Sequence, residues 1–212
     1  MERVKSMLKA DRPVKWLFLG DSITHGAFHT FGARDYTELF AERVRWELRR
    51  CRDIVLNTAY SGFTTRELLA DFEWRVGQFS PDVVFVMVGM NDCAAGRDLG
   101  LDEFKENLRT LLGRIGGLAV LQTCCPILPN CDPGREPRYP AFMDALREVA
   151  AAAELPLVDH HRHWLENADK HFYWMSDALH PNAEGHRAMA RQLFKSLDIF
   201  DPAAVTCRLL VP

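Results

Sequence analysis

The sequence predicts an α/β protein with a central five-stranded parallel sheet covered by helices on both faces. Short apolar runs alternate with amphipathic stretches along the 212 residues, and this alternation is typical of strand–helix units. The predicted strands are apolar throughout, as parallel strands buried on both faces are. No linker-like composition or charge run divides the chain, so we expect one domain over residues 1–212.

Each predicted strand is a short apolar run that stops at a turn-forming or polar residue. The first, residues 14–19 (VKWLFL), precedes Gly20, and the third, residues 83–88 (VVFVMV), precedes Gly89. The third run is the clearest strand, because it is continuously apolar. The other three strands are predicted at residues 54–57, 119–123 and 157–159.

The predicted helices lie between these strands and show apolar residues at helical spacing. A Thr64–Glu67 capping box predicts a helix running toward Phe79, and Asn182 is the expected N-cap of the last helix. Residues 124–140 contain five prolines and predict a loop. The remaining helices are expected at 36–49, 104–115, 142–150 and 182–197, with 160–175 irregular or partly helical.

Composition argues against several classes of partner. The formal net charge is −3 and the calculated pI is about 6.2, so no global basic field attracts nucleic acid. No apolar run approaches the ~20 residues that span a bilayer, which predicts no stable membrane insertion. The N-terminal residues 1–13 are charged and lack the apolar core of a secretory signal, so the expected location is cytoplasmic.

The six cysteines contain no CxxC pair, which argues against a zinc ribbon and favours free thiols in the cytoplasm. His160, His161 and His163 match no zinc-helix spacing, so we predict no metal site there. The apolar segment 206–211 predicts either an extra strand or a docked tail, and with Val205 it offers a surface for a homo-oligomer.

Polar, glycine-containing segments follow the strands or precede the last helix. In an open parallel sheet, ligands bind beyond the carboxyl ends of the strands. These segments should therefore converge on one edge of the sheet. They are residues 20–26, 57–62, 89–92 and 176–181.

The residue types in these segments match the needs of acyl transfer, which are a nucleophile, a base, an orienting group and oxyanion donors. Ser22 supplies a hydroxyl on a tight turn after the first strand, and His180 is the natural base for it. Asp177 lies three residues before His180, a spacing that can place a carboxylate beside the imidazole. The expected oxyanion donors are the Ser22 and Gly62 N–H groups and the Asn91 amide.

Each of these residues also has a plainer interpretation. Ser22 or Asp177 alone could be a helix cap, and Asn91 could be only a turn former. Asp21 and Asp92 are expected to organise their own loops. The sequence predicts less about His25, His29 and Tyr60, which we expect only to shape the acyl pocket.

The four segments together resemble the conserved blocks of the SGNH (GDSL-type) hydrolases. Gly20-Asp21-Ser22 looks like the nucleophile block of that family, and Gly62 looks like its glycine block. Gly89-Met90-Asn91-Asp92 is similar to its G-x-N-D block, and the residues 177–181 (DALHP) resemble its D-x-x-H-P block. The blocks occur in the family's order and extend over most of the chain.

The resemblance implies a flavodoxin-like three-layer α/β/α fold and hydrolysis of ester or thioester bonds without a metal or cofactor. We expect a small-molecule ester substrate carrying a small acyl group, such as an acetyl ester of a carbohydrate. Alternatives with the same residues are a lysophospholipase, an acyl-thioesterase or an acyltransferase. An alternative of another class is a binding module that has kept the fold and lost the chemistry.

Overall fold

The protein is built around a parallel five-stranded sheet with the strand order β2-β1-β3-β4-β5. A computed structural model describes residues 1–26 and 28–208. This strand order is that of the flavodoxin-like fold. The strands are all parallel, and the order in which the chain adds strands to the sheet reverses between β1 and β3. The predicted fold class and the five parallel strands are therefore confirmed.

The strands lie where the apolar runs predicted them, within one residue at most ends. Every residue of β3 is buried, and only Lys15 of β1 is partly exposed, because these two strands occupy the middle of the sheet. The edge strand β2 is partly exposed. The bounds are β1 Lys15–Gly20, β2 Ile54–Asn57, β3 Val83–Met87, β4 Leu118–Gln122 and β5 Leu157–Val158.

Helices cover both faces of the sheet and form the two outer layers. On one face α3 packs against α9, and on the other α4, α6 and α7 pack together. The bounds are α1 Glu2–Leu8, α2 Ser22–His25, α3 Tyr36–Glu42, α4 Thr65–Ala70, α5 Phe72–Arg75, α6 Leu101–Arg114, α7 Tyr139–Ala152, α8 His160–Leu165 and α9 Ala183–Ser196.

An aromatic cluster joins the sheet to the α3 layer. Phe18 of β1 stacks on Phe85 of β3 with ring centroids 4.6 Å apart, and Phe40 of α3 meets Phe18 edge-on at 5.2 Å. Trp16 lies on the same side of β1 and packs edge-on against Phe40. Such pairs add to the free energy gained by burying large apolar area, so this cluster fixes β1, and with it the loop that follows β1.

Helix boundaries differ from the sequence prediction at three places. The helix expected from Thr64 toward Phe79 is broken into α4, α5 and a 3₁₀ turn, because Asp71 and Val76 leave helical geometry. The helix expected at 36–49 passes into a π-helical turn at Arg43–Glu47, where the Leu48 N–H donates to the Arg43 carbonyl. Pro140 lies in the first turn of α7 and not in the preceding loop, since a helix needs no N–H there.

The chain ends differ as well. Residues 2–8 form α1, which the sequence did not predict because a two-turn helix with one buried residue, Val4, carries little periodicity. At the other end, Val205–Cys207 is a 3₁₀ turn with Thr206 and Cys207 buried, which is not a strand. The rest of the predicted tail element, residues 209–211, lies outside the described residues.

Candidate active site

Ser22 is placed at the first turn of a very short helix immediately after β1. Asp21 caps α2, its Oδ1 accepting the Ile23 N–H at 3.0 Å. Gly20 is required between strand and cap, because a Cβ there would lie 2.6 Å from the Met87 carbonyl oxygen. Gly26 closes α2 in the left-handed conformation with φ +71°. The local sequence therefore turns the chain sharply and leaves Ser22 at the carboxyl edge of the sheet.

His180 and Asp177 lie on a tight turn that is fixed from both sides. The Ser176 N–H donates to the His180 carbonyl at 2.8 Å, and the Leu128 N–H donates to the Ala178 carbonyl at 2.9 Å. Asp177 Oδ1 accepts the backbone N–H groups of Leu179 and His180 at 2.8 and 2.9 Å. The carboxylate is thereby held beside the imidazole by its own backbone.

The three side chains form one continuous hydrogen-bonded chain. Ser22 Oγ lies 2.9 Å from His180 Nε2, and His180 Nδ1 lies 2.9 Å from both carboxylate oxygens of Asp177. Burial raises the pKa of Asp177, but the Leu179 N–H and the contacts with His180 outweigh that effect and hold the pKa below its usual range. A carboxylate that stays ionised favours a proton on Nδ1 and leaves Nε2 free to accept the Ser22 proton.

Gly62 lies in a turn after β2 that only a glycine adopts readily. The Phe63 N–H donates to the Tyr60 carbonyl at 3.3 Å, and Gly62 has φ +84° in the third position of this turn. The Tyr60 N–H donates to the Gly20 carbonyl at 3.0 Å, which ties the turn to the strand before Ser22. The Gly62 carbonyl accepts from Arg97, so the peptide has a fixed orientation.

Asn91 lies in the turn after β3 and is buried. Its Nδ2 donates one hydrogen bond to the Phe63 carbonyl at 3.0 Å, which links the turns that follow β2 and β3. The amide carries two N–H bonds, so one remains for another acceptor. Asp92 organises the same turn, because its carboxylate accepts the Gly89 N–H and both the N–H and hydroxyl of Thr65.

Asp21 lies under the site with an unusual environment. Burial raises its pKa to about 7, and the nearby Asp92 acts in the same direction. One of its oxygens, Oδ2, has no hydrogen-bond partner within the described part of the chain. Burial without a donor to Oδ2 disfavours the charged carboxylate, which is why the pKa of Asp21 lies well above its usual range.

The structure places His29 against His180, the predicted base, whereas the sequence predicted only a place near the acyl pocket for this residue. The ring of His29 stacks on the ring of His180 with centroids 3.6 Å apart and planes 4° apart. His29 Nδ1 lies 3.4 Å from Asp177 Oδ2. The only sequence signal for this residue is its position seven residues after Ser22, in a segment without periodicity.

The donor set around His180 fits proton transfer better than metal binding. Among residues 1–26 and 28–208, only His29, Asp177 and His180 bring three His, Cys, Asp or Glu ligand atoms within 4.8 Å of one another. However, Nδ1 of His180 faces a carboxylate and Nε2 faces a hydroxyl. Two parallel stacked rings direct their lone pairs within separate planes, so they do not converge on one ion.

The other histidines named from the sequence do not form a cluster. His160 is fully buried with Nε2 3.1 Å from Gln122 Oε1, whereas His161 Nδ1 lies 2.9 Å from an Arg147 nitrogen. His163 stacks on Trp174. All six cysteines are free, and burial raises the pKa of Cys124 and Cys125, which makes these thiols unreactive.

No helix in the described part of the chain is long and apolar enough to cross a membrane.

Comparison with known proteins assigns the class of protein. The model of the GDSL-like lipase/acylhydrolase family matches residues 18–188, and the chain belongs to that family. It is a carboxylic ester hydrolase, and the family resemblance recognised in the four sequence blocks is confirmed.

One relative with a named activity agrees with this assignment. The chain is 27% identical over 207 residues to an acetylxylan esterase of Geobacillus stearothermophilus, covering 86% of this chain and 93% of that protein. It is also 32% identical over 108 residues to an uncharacterized protein of Mycoplasma pneumoniae; this match covers 50% of the chain and spans only 12% of that protein's length.

Solved structures show the same fold. A catalytic mutant of Axe2, an acetylxylan esterase from Geobacillus stearothermophilus, superposes with a TM-score of 0.74 at 25% identity, covering 89% of this chain and 96% of that one. An α/β hydrolase enzyme from the metagenome of Lake Arreo, Spain, superposes with a TM-score of 0.73 at 25% identity, covering 88% and 95%.

Proposed function

We propose that Ser22, His180 and Asp177 form a catalytic triad that hydrolyses small acyl esters. The observation that carries this proposal is the unbroken chain of contacts from Ser22 Oγ through His180 to the Asp177 carboxylate, each 2.9 Å long. A serine hydroxyl is a poor nucleophile unless a base accepts its proton, and this arrangement supplies the base already aligned. Membership of an esterase family argues against the alternative of a binding module without chemistry.

In the first half-reaction, Ser22 Oγ attacks the ester carbonyl carbon while His180 Nε2 takes the hydroxyl proton. The negative charge on the former carbonyl oxygen is stabilised by the N–H groups of Ser22 and Gly62 and the free N–H of Asn91. The tetrahedral intermediate then collapses, and the alcohol leaves with the proton returned by His180. Asp177 stabilises the transient imidazolium throughout.

In the second half-reaction, water attacks the acyl-serine, and His180 accepts one of its protons. Collapse of the second intermediate releases the carboxylic acid and returns the proton to Ser22 Oγ. The steps balance without a redox partner or an external acid. An alcohol in place of water would give acyl transfer instead, because the first half-reaction is identical.

The proposed substrate class is an acetyl-type ester, with acetylated carbohydrates as the first candidates. Support comes from the acetylxylan esterase that aligns with 86% of this chain. Support also comes from the sequence, where the segments beside the site contain no long Leu- and Met-rich lid for a fatty chain. Lysophospholipid and acyl-CoA hydrolysis are the competing activities, and they use the same residues.

The decisive experiment is labelling with a fluorophosphonate, read by intact mass. The wild type should gain one adduct and Ser22→Ala none. The chain offers a matched control, because Ser61 Oγ also contacts a histidine, lying 3.0 Å from His25 Nδ1. Ser61→Ala should label as fast as wild type. Folded wild-type protein that gains no adduct would contradict the triad, and an adduct on Ser22→Ala would assign the nucleophile elsewhere.

Substrate class is tested separately with a series of p-nitrophenyl esters of increasing chain length, followed by acetylated xylo-oligosaccharides. We expect the highest kcat/KM at acetyl. A peak at eight carbons or more, or faster hydrolysis of acyl-CoA or lysophosphatidylcholine, would overturn the proposed substrate class and leave the triad intact.

A further inference from the structure

His29 covers one face of the histidine that the proposed mechanism uses as its base. The two rings are almost parallel, with planes 4° apart, and their centroids are 3.6 Å apart. His180 donates and accepts within its own ring plane, toward Asp177 on one side and Ser22 on the other. A rotation of the ring out of that plane breaks both contacts at once, and a ring packed flat against it opposes that rotation.

The loop that carries His29 is shaped to point this side chain inward. Phe28 and Phe31 on either side have φ of +68° and +52°, a region that is unfavourable for side chains with a Cβ. Their own rings are 90% and 82% exposed, so apolar burial does not explain the conformation. Between them, Thr30 bonds back to the Gly26 carbonyl, and the Ala33 N–H donates to Thr30. Strained backbone of this kind clusters at functional sites.

The electrostatic surroundings keep His29 uncharged under ordinary assay conditions. Its titratable neighbours are His180, Asp177 and the buried His186. Burial lowers the pKa of His29, the nearby His180 lowers it further, and Asp177 opposes them only in part. A neutral ring can lie against His180 when the latter becomes an imidazolium, whereas a second cation at that distance would be repelled.

We propose that His29 is a positioning residue whose ring, stacked on His180, holds the base in the plane that joins Asp177 to Ser22. The inference rests on the proposed triad. His29 has no bond-making role in it, and its contribution lies in alignment and in the uncharged surface that it offers to the imidazolium. The contact with Asp177 at 3.4 Å is longer than the 2.9 Å contacts of His180, so Asp177 remains the partner of His180.

Three variants separate the ring from its nitrogen. His29→Ala removes the ring, His29→Asn keeps a polar group near Asp177 without a ring, and His29→Phe keeps a flat ring without a nitrogen. We expect kcat to fall about tenfold for the Ala and Asn variants, in line with the energy of an aromatic pair, and to stay within about threefold for Phe. KM should not change. Trp74→Ala, which removes an exposed aromatic ring from α5, is the control and should behave as wild type.

The rate of Ser22 phosphonylation gives a readout that does not depend on the substrate. It should fall in step with kcat for Ala and Asn and recover with Phe. The low-field proton resonance of the His180 Nδ1–H should broaden in the Ala and Asn variants and stay sharp in the Phe variant. A general loss of stability would not produce this pattern. Thermal unfolding of each variant checks that the fold is kept.

Several results would overturn the proposal. They are an unchanged kcat and phosphonylation rate in His29→Ala, recovery by Asn but not by Phe, or a raised KM with unchanged kcat. Each of these would leave a reactive Ser22 in the wild type, so the triad would stand. An unreactive Ser22 in the wild type would instead overturn the proposed function, and the two failures are therefore distinguishable.

Discussion

Replacing Asp177 with asparagine removes a charge from beside His180 while it preserves the size and shape of the side chain. Both backbone donors of the turn, from Leu179 and His180, point at Oδ1. An asparagine therefore keeps its carbonyl oxygen at that position and turns its NH₂ group toward His180 Nδ1. Nδ1 of His180 must then accept a hydrogen bond from that NH₂ group, so the imidazole proton moves to Nε2. Nε2 faces Ser22 and, once protonated, can no longer act as a base.

The expected loss follows from this change of tautomer. The same substitution in serine proteases lowers kcat by about 10⁴, equal to roughly 5.4 kcal/mol of activation free energy. We expect a similar factor for Asp177→Asn, with KM and melting temperature little changed. The assay is kcat and KM on p-nitrophenyl acetate, together with thermal unfolding. Asp201→Asn is the matched control, because Asp201 Oδ1 also accepts a backbone N–H two residues on, at 2.9 Å, in a different turn.

A kcat for Asp177→Asn within tenfold of wild type would refute this reasoning. It would mean either that the carboxylate does not set the tautomer or that another base serves Ser22. An equal loss in Asp201→Asn would point to a general effect of such turns on stability and would refute it as well.

Three further predictions concern the groups around the triad. Asn91→Ala should lower kcat by about 10²–10³ through loss of an oxyanion donor; kcat equal to wild type on a chemistry-limited substrate would exclude that role. Gly62→Ala should lower kcat. Gly32 has the same φ of +84°, so Gly32→Ala should lower the free energy of urea unfolding by the same backbone cost of about 1–2 kcal/mol and leave kcat unchanged. Equal kcat in both variants would argue against an oxyanion role for Gly62. Because the folded pKa of Asp21 is raised to about 7, the stability from its protonated form is complete below about pH 4 and lost as pH rises through 7. Between pH 4 and 8, the free energy of unfolding should therefore fall by up to about 4 kcal/mol less in Asp21→Asn than in wild type. An equal fall in both proteins would contradict this.

The sheet and the polar edge were predictable because both depend on local patterns. Runs such as residues 83–88 have no polar position and fit only a strand buried on both faces. Once parallel strands are given, the segments after β1, β2 and β3 must lie at one edge. The cap Asn182 was predictable as well, since its side chain accepts the Glu184 and Gly185 N–H groups just before α9.

The features that sequence reasoning missed depend on contacts between distant segments. His29 approaches His180 only because the loop after α2 folds back, and two exposed phenylalanines in left-handed conformations leave no signal in hydropathy. The bond from Asn91 to the Phe63 carbonyl joins two turns that are separate in sequence. The side chain of Arg75 in α5 donates to the Thr58 carbonyl, and this contact between separate segments likewise leaves no signal in hydropathy.

The contact between Ser22 and His180 joins positions 158 residues apart. During synthesis Ser22, the proposed nucleophile, is therefore made long before His180, its proposed base. Closing so long a loop costs entropy that only the finished sheet and both of its helical layers repay. The recovery of esterase activity on refolding should consequently report closure of the whole chain and not the formation of any one layer.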